Sequence, residues 1–207
     1  MGIGAGMTEI RPYRPGDLEA LYRICLGTGW AGADASARYN DPKLLGHVYA
    51  APYGALRPDC AFVVEDEAGV GGYMLGAADT QVFETQLERD WWPPLRLQYP
   101  DPQGPRDGWS ADERLARLIH HPRRTPERVT DDYPAHLHVD LLPRFQGRGL
   151  GRTLIDAWLG CVRAMGATGV HLGVAAANER AIRFYRAYGF MELWSGPSDK
   201  LFALRLG

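Results

Sequence analysis

The chain has 207 residues, of which 45% are hydrophobic, 23% charged and 11% aromatic, the profile of one ordinary globular domain with a sizeable core. Its 23 Lys and Arg stand against 25 Asp and Glu, so a formal net charge of -2 gives no overall basic field to recruit nucleic acid or an anionic membrane. The three cysteines, Cys25, Cys60 and Cys161, are too far apart for a disulfide framework or a paired-cysteine metal site, and read as buried apolar side chains in a reducing compartment.

Residues 1–8 are glycine-rich and uncharged. They read as a frayed terminus, without the basic start and long apolar run of a signal peptide, and no stretch reaches the ~18 apolar residues of a membrane span. A cytoplasmic protein is expected. Residues 9–13 predict a strand, and Asp17 is placed to cap a helix over 18–26, where apolar residues recur at helical spacing. Residues 27–37, rich in glycine and alanine, predict a mobile loop on the substrate side. Asp41-Pro42 opens a second helical segment over 43–50. Two apolar runs, 60–65 and 70–77, flank the turn Asp66-Glu67-Ala68-Gly69 and read as a β-hairpin.

From about Thr80 to Arg128 the pattern changes to a helical insertion, with helices over 83–92 and 111–120. Pro93-Pro94 and the proline-rich 99–105 are expected to break it. At ~50 residues it is small for a core of its own and is expected to pack on the sheet. Trp91, Trp92, Tyr99 and Trp109 serve that packing, or line an acceptor pocket or a partner surface. His120-His121 reads as a solvated helix end, since no further ligand stands at metal spacing. A buried strand over 135–142, a helix over 151–165, a strand over 170–175 and a helix over 178–188 capped by Gly189 follow. Strands over 190–194 and 201–206 close the chain. The order is mixed α/β in a single domain, 1–207, without internal repeats.

The chemistry is concentrated in Leu137-His138-Val139-Asp140-Leu141-Leu142-Pro143-Arg144-Phe145-Gln146-Gly147-Arg148-Gly149-Leu150-Gly151-Arg152. A strand runs into a glycine-rich loop that opens onto a helix, so backbone N–H groups converge at the positive end of the helix dipole, a geometry that binds phosphate. Gly149 and Gly151 let the main chain approach a diphosphate, and Arg148 and Arg152 add charge at the same anion. The dinucleotide-binding fingerprint fails, because Gln146 takes its first glycine, the loop is late in the chain and no βαβ series follows. A P-loop is excluded by the lack of Gly-Lys-Ser/Thr. On β-alternation, His136, His138 and Asp140 share one face of the strand.

Gln146-Gly147-Arg148-Gly149-Leu150-Gly151 resembles the pyrophosphate loop of the GCN5-related N-acetyltransferases (GNAT). Asn178-Glu179-Arg180-Ala181-Ile182-Arg183-Phe184-Tyr185-Arg186-Ala187-Tyr188-Gly189-Phe190 is similar to that family's second signature. More narrowly, Tyr53-Gly54-Ala55-Leu56, Phe62-Val63-Val64-Glu65-Asp66-Glu67, Gly72-Tyr73 and Asp132-Tyr133-Pro134-Ala135-His136-Leu137 resemble the acetyltransferase-like C-terminal domain of animal O-GlcNAc hydrolases. The resemblance implies a mixed, mostly antiparallel central sheet flanked by helices, with 135–190 as the acetyl-CoA-binding core. It implies that acetyl-CoA enters a V-shaped gap between strands 137–142 and 170–175, its pantetheine pairing near Leu141 and Leu142. Main-chain groups of Gly147, Arg148, Gly149, Leu150 and Gly151 would hold the diphosphate, with Asn178 and Tyr185 reaching from the last helix.

The reaction so implied is direct acetyl transfer from the thioester to an amine of a small molecule or a protein lysine, with no metal. Tyr185 is the candidate acid for the departing thiolate, and a backbone N–H beside Leu141 or Leu142 the donor to the thioester oxygen. Asp140 is the candidate base, or it orients a water, the amine or the neighbouring loop; Asp132 is a weaker candidate. The alternatives are an acyl-CoA-binding pseudo-acetyltransferase that acts as a recognition module, and a nucleotide-phosphate-binding regulator. Acceptor and oligomeric state stay open.

Overall fold

The computed structural model describes residues 8–207; apart from Thr8, the terminus expected to fray lies outside the described residues. Seven strands, β1 (Glu9–Pro12), β2 (Ala61–Asp66), β3 (Gly69–Ala77), β4 (Ala135–Leu141), β5 (Gly169–Ala175), β6 (Met191–Ser195) and β7 (Asp199–Arg205), form one sheet in the order β1-β2-β3-β4-β5-β7-β6. All neighbours are antiparallel except β4 and β5. The chain therefore has the mixed α/β, mostly antiparallel architecture that the sequence predicts.

On one face lie α1 (Leu18–Thr28), α2 (Leu44–Tyr49) and α3 (Ala51–Leu56). In α1, Leu21, Ile24 and Cys25 are buried at helical spacing against Tyr73 and Leu75 of β3. Asp17 stands at the head of α1 but does not cap it with its side chain. Its carboxylate instead takes a bidentate bond from Arg11, at 2.8 and 2.9 Å, and the Arg14 N–H at 2.7 Å. Arg11 also binds both oxygens of Glu65, at 2.7 and 2.9 Å, tying β1 to β2.

The insertion contributes α4 (Thr80–Gln86), α5 (Trp92–Gln98), α6 (Ala111–His120) and α7 (Glu127–Thr130). Phe83, Trp92, Leu95, Leu115 and Ile119 join the same core cluster as α1 and β3, so the insertion packs on the sheet. Pro93-Pro94 does not end the helical path as expected. A π-helical turn, Leu87–Trp91, carries α4 into α5, and the prolines occupy the first turn of α5, where a missing N–H costs no helical bond.

The other face is covered by α8 (Leu150–Ala164) and α9 (Glu179–Tyr188). The apolar stripe of α8, Leu154, Ile155, Trp158, Leu159 and Val162, is buried with Leu137, Leu172 and Phe202. Asn178 caps α9 through a bond from Ala181 N–H, and Gly189 ends it at a φ of 119°. One feature of the sheet positions the site. β4 and β5 pair only at Ala135↔Val170 and His136↔His171, and beyond these the strands part.

Candidate functional site

Where β4 leaves β5, a cleft of about 520 Å³ opens between the end of β4, the 146–152 loop and α9. The backbone amides of Gly147, Arg148, Gly149, Leu150 and Gly151 have no acceptor among the described residues, while the neighbouring Gln146 N–H is taken by Pro143. Such unpaired donors at the start of a 15-residue helix suit an anion. Gly147 and Gly149 hold φ of 71° and 78°, the left-handed conformation that lets consecutive amides face one point. Gly151 serves differently: a Cβ there would meet the Phe184 ring at 3.3 Å. Gln146 fixes the loop to the sheet by donating from Nε2 to Leu141 O at 2.6 Å and accepting from Arg180.

The register of β3 and β4 determines which strand groups face the gap. Leu142 N–H donates to Gly71 O at 2.8 Å, so alternation turns the main-chain groups of Leu141 and Val139 away from β3 and toward the gap. The oxyanion donor that the sequence divided between Leu141 and Leu142 is thus available at Leu141 and committed elsewhere at Leu142. Tyr185 lines the same cleft with its ring packed on Phe184, Phe190 and Phe202, and among the described residues its hydroxyl has no protein partner. Burial, with the charge of Asp140, pushes its pKa up and keeps it protonated. Asp140 also lines the cleft and accepts the Tyr73 hydroxyl at 2.7 Å; burial raises its carboxyl pKa.

A second pocket, of about 540 Å³, lies between β4, β5 and the insertion. Tyr49, Tyr53, Phe83, Glu84 and Trp92 line it together with His136, His138 and His171 from the parting strands. The cleft and this pocket meet on β4, where His138 faces one and Val139 the other. All three imidazoles are held neutral. Burial drives His136 well below its ordinary value, His138 to about 4 and His171 downward, with mutual repulsion adding for the first two. Among the described residues no group of three His, Cys, Asp or Glu could hold a metal ion.

The sequence candidates Asp140, Leu141, Gln146, Gly147, Gly149, Leu150, Gly151, Arg152, Asn178 and Tyr185 all line the first cleft. Arg148 contributes only its main chain. Its guanidinium is drawn to the Phe145 ring at 5.9 Å, Thr8 Oγ1 at 2.9 Å and Arg144 O at 3.3 Å, away from the loop's donors. Asp132 pairs with Arg205 at 3.2 Å on the surface, and His121 pairs with Asp101 at 2.8 Å. Residues 27–37 bring Ala31 and Gly32 to the cleft, with Gly32 beside Asn178. Sequence reasoning missed Arg180, Tyr53 and His171. His171 stands in no quoted motif, and Tyr53, although it opens a run that carries the resemblance, meets His136 and His138 only across a long stretch of chain.

The Acetyltransferase (GNAT) family model matches residues 30–190. The crystal structure of SsHAT is 40% identical and superposes with a TM-score of 0.87 over 96% of this chain and 98% of that one. Protein O-GlcNAcase from Rattus norvegicus is 26% identical over 184 residues, which are 89% of this chain and 20% of that protein, so the chain spans about a fifth of the curated relative's length. The structure of yncA from Salmonella typhimurium with its cofactor acetyl-CoA shares the fold at a TM-score of 0.57 and 16% identity, over 97% of this chain and 95% of that one.

Proposed function

Because the chain belongs to the GNAT acetyltransferase family, we propose that it transfers an acetyl group directly from acetyl-CoA to an amine, on a small molecule or a protein lysine. The observation that carries this reading is the row of amides from Gly147 to Gly151 at the head of α8, without acceptors among the described residues, in one cleft with Leu141 and the hydroxyl of Tyr185. The donors fit a diphosphate, and the edge of β4 fits the amide-bearing pantetheine arm as an added strand. Acetyl-CoA bound to yncA, on the same fold, supports the choice of ligand.

On this reading Gly147, Gly149, Leu150 and Gly151 bind the diphosphate, and Arg152 and Asn178 flank it. Acetyl-CoA supplies an activated acyl carbon. Leu141 N–H hydrogen-bonds the thioester oxygen as negative charge develops there, and Tyr185 gives a proton to the leaving sulfur. Asp140, held by Tyr73, orients polar groups at the junction of cleft and pocket. The acceptor comes from the opposite side, through the histidine-lined pocket.

The test is a melting curve with acetyl-CoA, desulfo-CoA and adenosine diphosphate ribose. A ligand selective for the folded state stabilises by about 2.7 kcal/mol at a hundred times its dissociation constant. Acetyl-CoA and desulfo-CoA are expected to raise the melting temperature alike. Stabilisation by adenosine diphosphate ribose alone would replace the reading with nucleotide binding. Tight acetyl-CoA binding without transfer to any amine would make the protein a recognition module.

A further inference from the structure

The second pocket contains an ordered run of hydrogen bonds whose direction can be worked out atom by atom. Thr80 Oγ1 lies 2.7 Å from Pro134 O and 2.7 Å from His136 Nδ1. A carbonyl only accepts, so the single Thr80 proton goes to Pro134 and His136 Nδ1 donates to Thr80. His136 is neutral, which leaves its Nε2 to accept; Tyr53 Oη, 2.8 Å away, donates to it. With that proton spent, His138 Nε2, 3.1 Å from Tyr53 Oη, is the donor to the phenol oxygen. His138 is therefore the Nε2–H tautomer, and its Nδ1 is a bare lone pair with no protein partner among the described residues.

We propose that His138 Nδ1 is the general base of acetyl transfer, set in its tautomer by Tyr53, His136 and Thr80. The inference rests on the reading of the protein as an acetyltransferase and extends it to the acceptor side. His138 is the pocket histidine next to Val139, where the pocket meets the cleft, whereas His171 sits back at the last paired position of β4 and β5 and spends Nδ1 on Tyr133 O at 2.7 Å. Asp140 faces the cleft and already accepts a hydroxyl. The charged and titratable side chains that line the pocket with His138 are Tyr49, Tyr53, Glu84, Glu88, Arg123, Arg124, His136 and His171.

In the step, a free amine forms its N–C bond to the acetyl carbon while the C–S bond breaks. The nitrogen's proton passes to His138 Nδ1, and the departing sulfur takes the Tyr185 proton. The His138 imidazolium and the Tyr185 phenolate then return to neutrality by exchange with water, so the net products are an amide and free CoA.

The first test needs no ligand. Nitrogen-15 imidazole spectra of the full chain at pH 7 are expected to show His138 protonated at Nε2 and bare at Nδ1, and Tyr53→Phe to mix the two tautomers. The opposite tautomer in the native protein overturns the proposal. The second test measures transfer from acetyl-CoA to ethylamine, free lysine and a lysine peptide. His138→Gln is expected to lower kcat by about 10²- to 10⁴-fold with unchanged acetyl-CoA affinity, and His138→Gly to regain part of it with added imidazole. Tyr53→Phe is expected to lower kcat by about tenfold without raising KM. Native kcat in a folded His138→Gln variant, or a larger loss in His171→Gln, would remove His138 from the role while leaving the acetyltransferase reading intact. A native protein that binds acetyl-CoA and acetylates none of the three amines overturns both.

Discussion

Gly149→Val isolates the contribution of the loop, because Gly149 combines a left-handed backbone with free space. Its φ is 78° and an added Cβ would meet nothing within 4 Å, so the substitution acts through conformation and not through a clash. A residue with a Cβ in this region costs about 1–2 kcal/mol, with β-branched valine at the upper end. If the variant keeps φ positive, the melting temperature falls by about 2–4 °C per kcal/mol for a chain of this size. If it relaxes to negative φ, the amides at Gly149 and Leu150 no longer face the cleft. Each lost charge-assisted bond is worth about 1.5–3 kcal/mol, or roughly ten- to more than a hundredfold in acetyl-CoA affinity. Paired calorimetric titration and thermal melting separate the two branches, with Gly149→Ala expected between valine and native. A folded Gly149→Val protein with native affinity and native melting temperature would refute the argument.

Tyr185→Phe keeps the ring packing and loses a hydroxyl without a partner among the described residues, so melting and acetyl-CoA binding should hold while kcat falls by about ten- to a thousandfold. Unchanged turnover would remove Tyr185 as the acid. Asp140 has a carboxyl raised by burial, so its charge costs stability above the ordinary carboxyl pKa and costs nothing once both states are protonated. Asp140→Asn should therefore melt higher than native at pH 7, with the gap closing toward pH 4; a lower melting temperature at pH 7 would make Asp140 a structural anchor. Asp17 is the opposite case. Its carboxyl is held low by Arg11, so its stabilisation is full above the ordinary range and is lost as pH falls through the depressed value. Asp17→Asn should lose about 3 kcal/mol near neutrality, the lower end for a broken buried pair because Glu65 still faces Arg11, and the deficit should shrink in acid denaturation curves below about pH 4.

The 146–152 loop and α9 were legible because each is a contiguous run with its own punctuation: Gly147 and Gly149 before α8, Asn178 and Gly189 around α9. The strand alternation that places His136, His138 and Asp140 on one face was legible for the same reason. It does not distinguish cleft from pocket, because that division depends on β5 leaving β4, which no residue of β4 announces. Tyr53 meets His136 and His138 across 83 and 85 positions of chain, a juxtaposition without periodicity to betray it. Pro93-Pro94 misled in a different way, since proline is a breaker inside a helix and a good fit in its first turn, and the π-helical turn before it creates such a start.

The short pairing of β4 with β5 also has a mechanical consequence. Beneath α8 and α9 the sheet is bound across this seam by interlocked Leu137, Trp158, Leu172 and Phe202. On the opposite side His136, His138 and His171 line a pocket of about 540 Å³ together with Phe83 and Trp92 of the insertion. With two paired positions and a pocket against one face, this seam is where the sheet has the fewest cross-strand bonds to hold it flat. Bending at this seam would change the width of the histidine-lined pocket, while the 146–152 loop would move with α8.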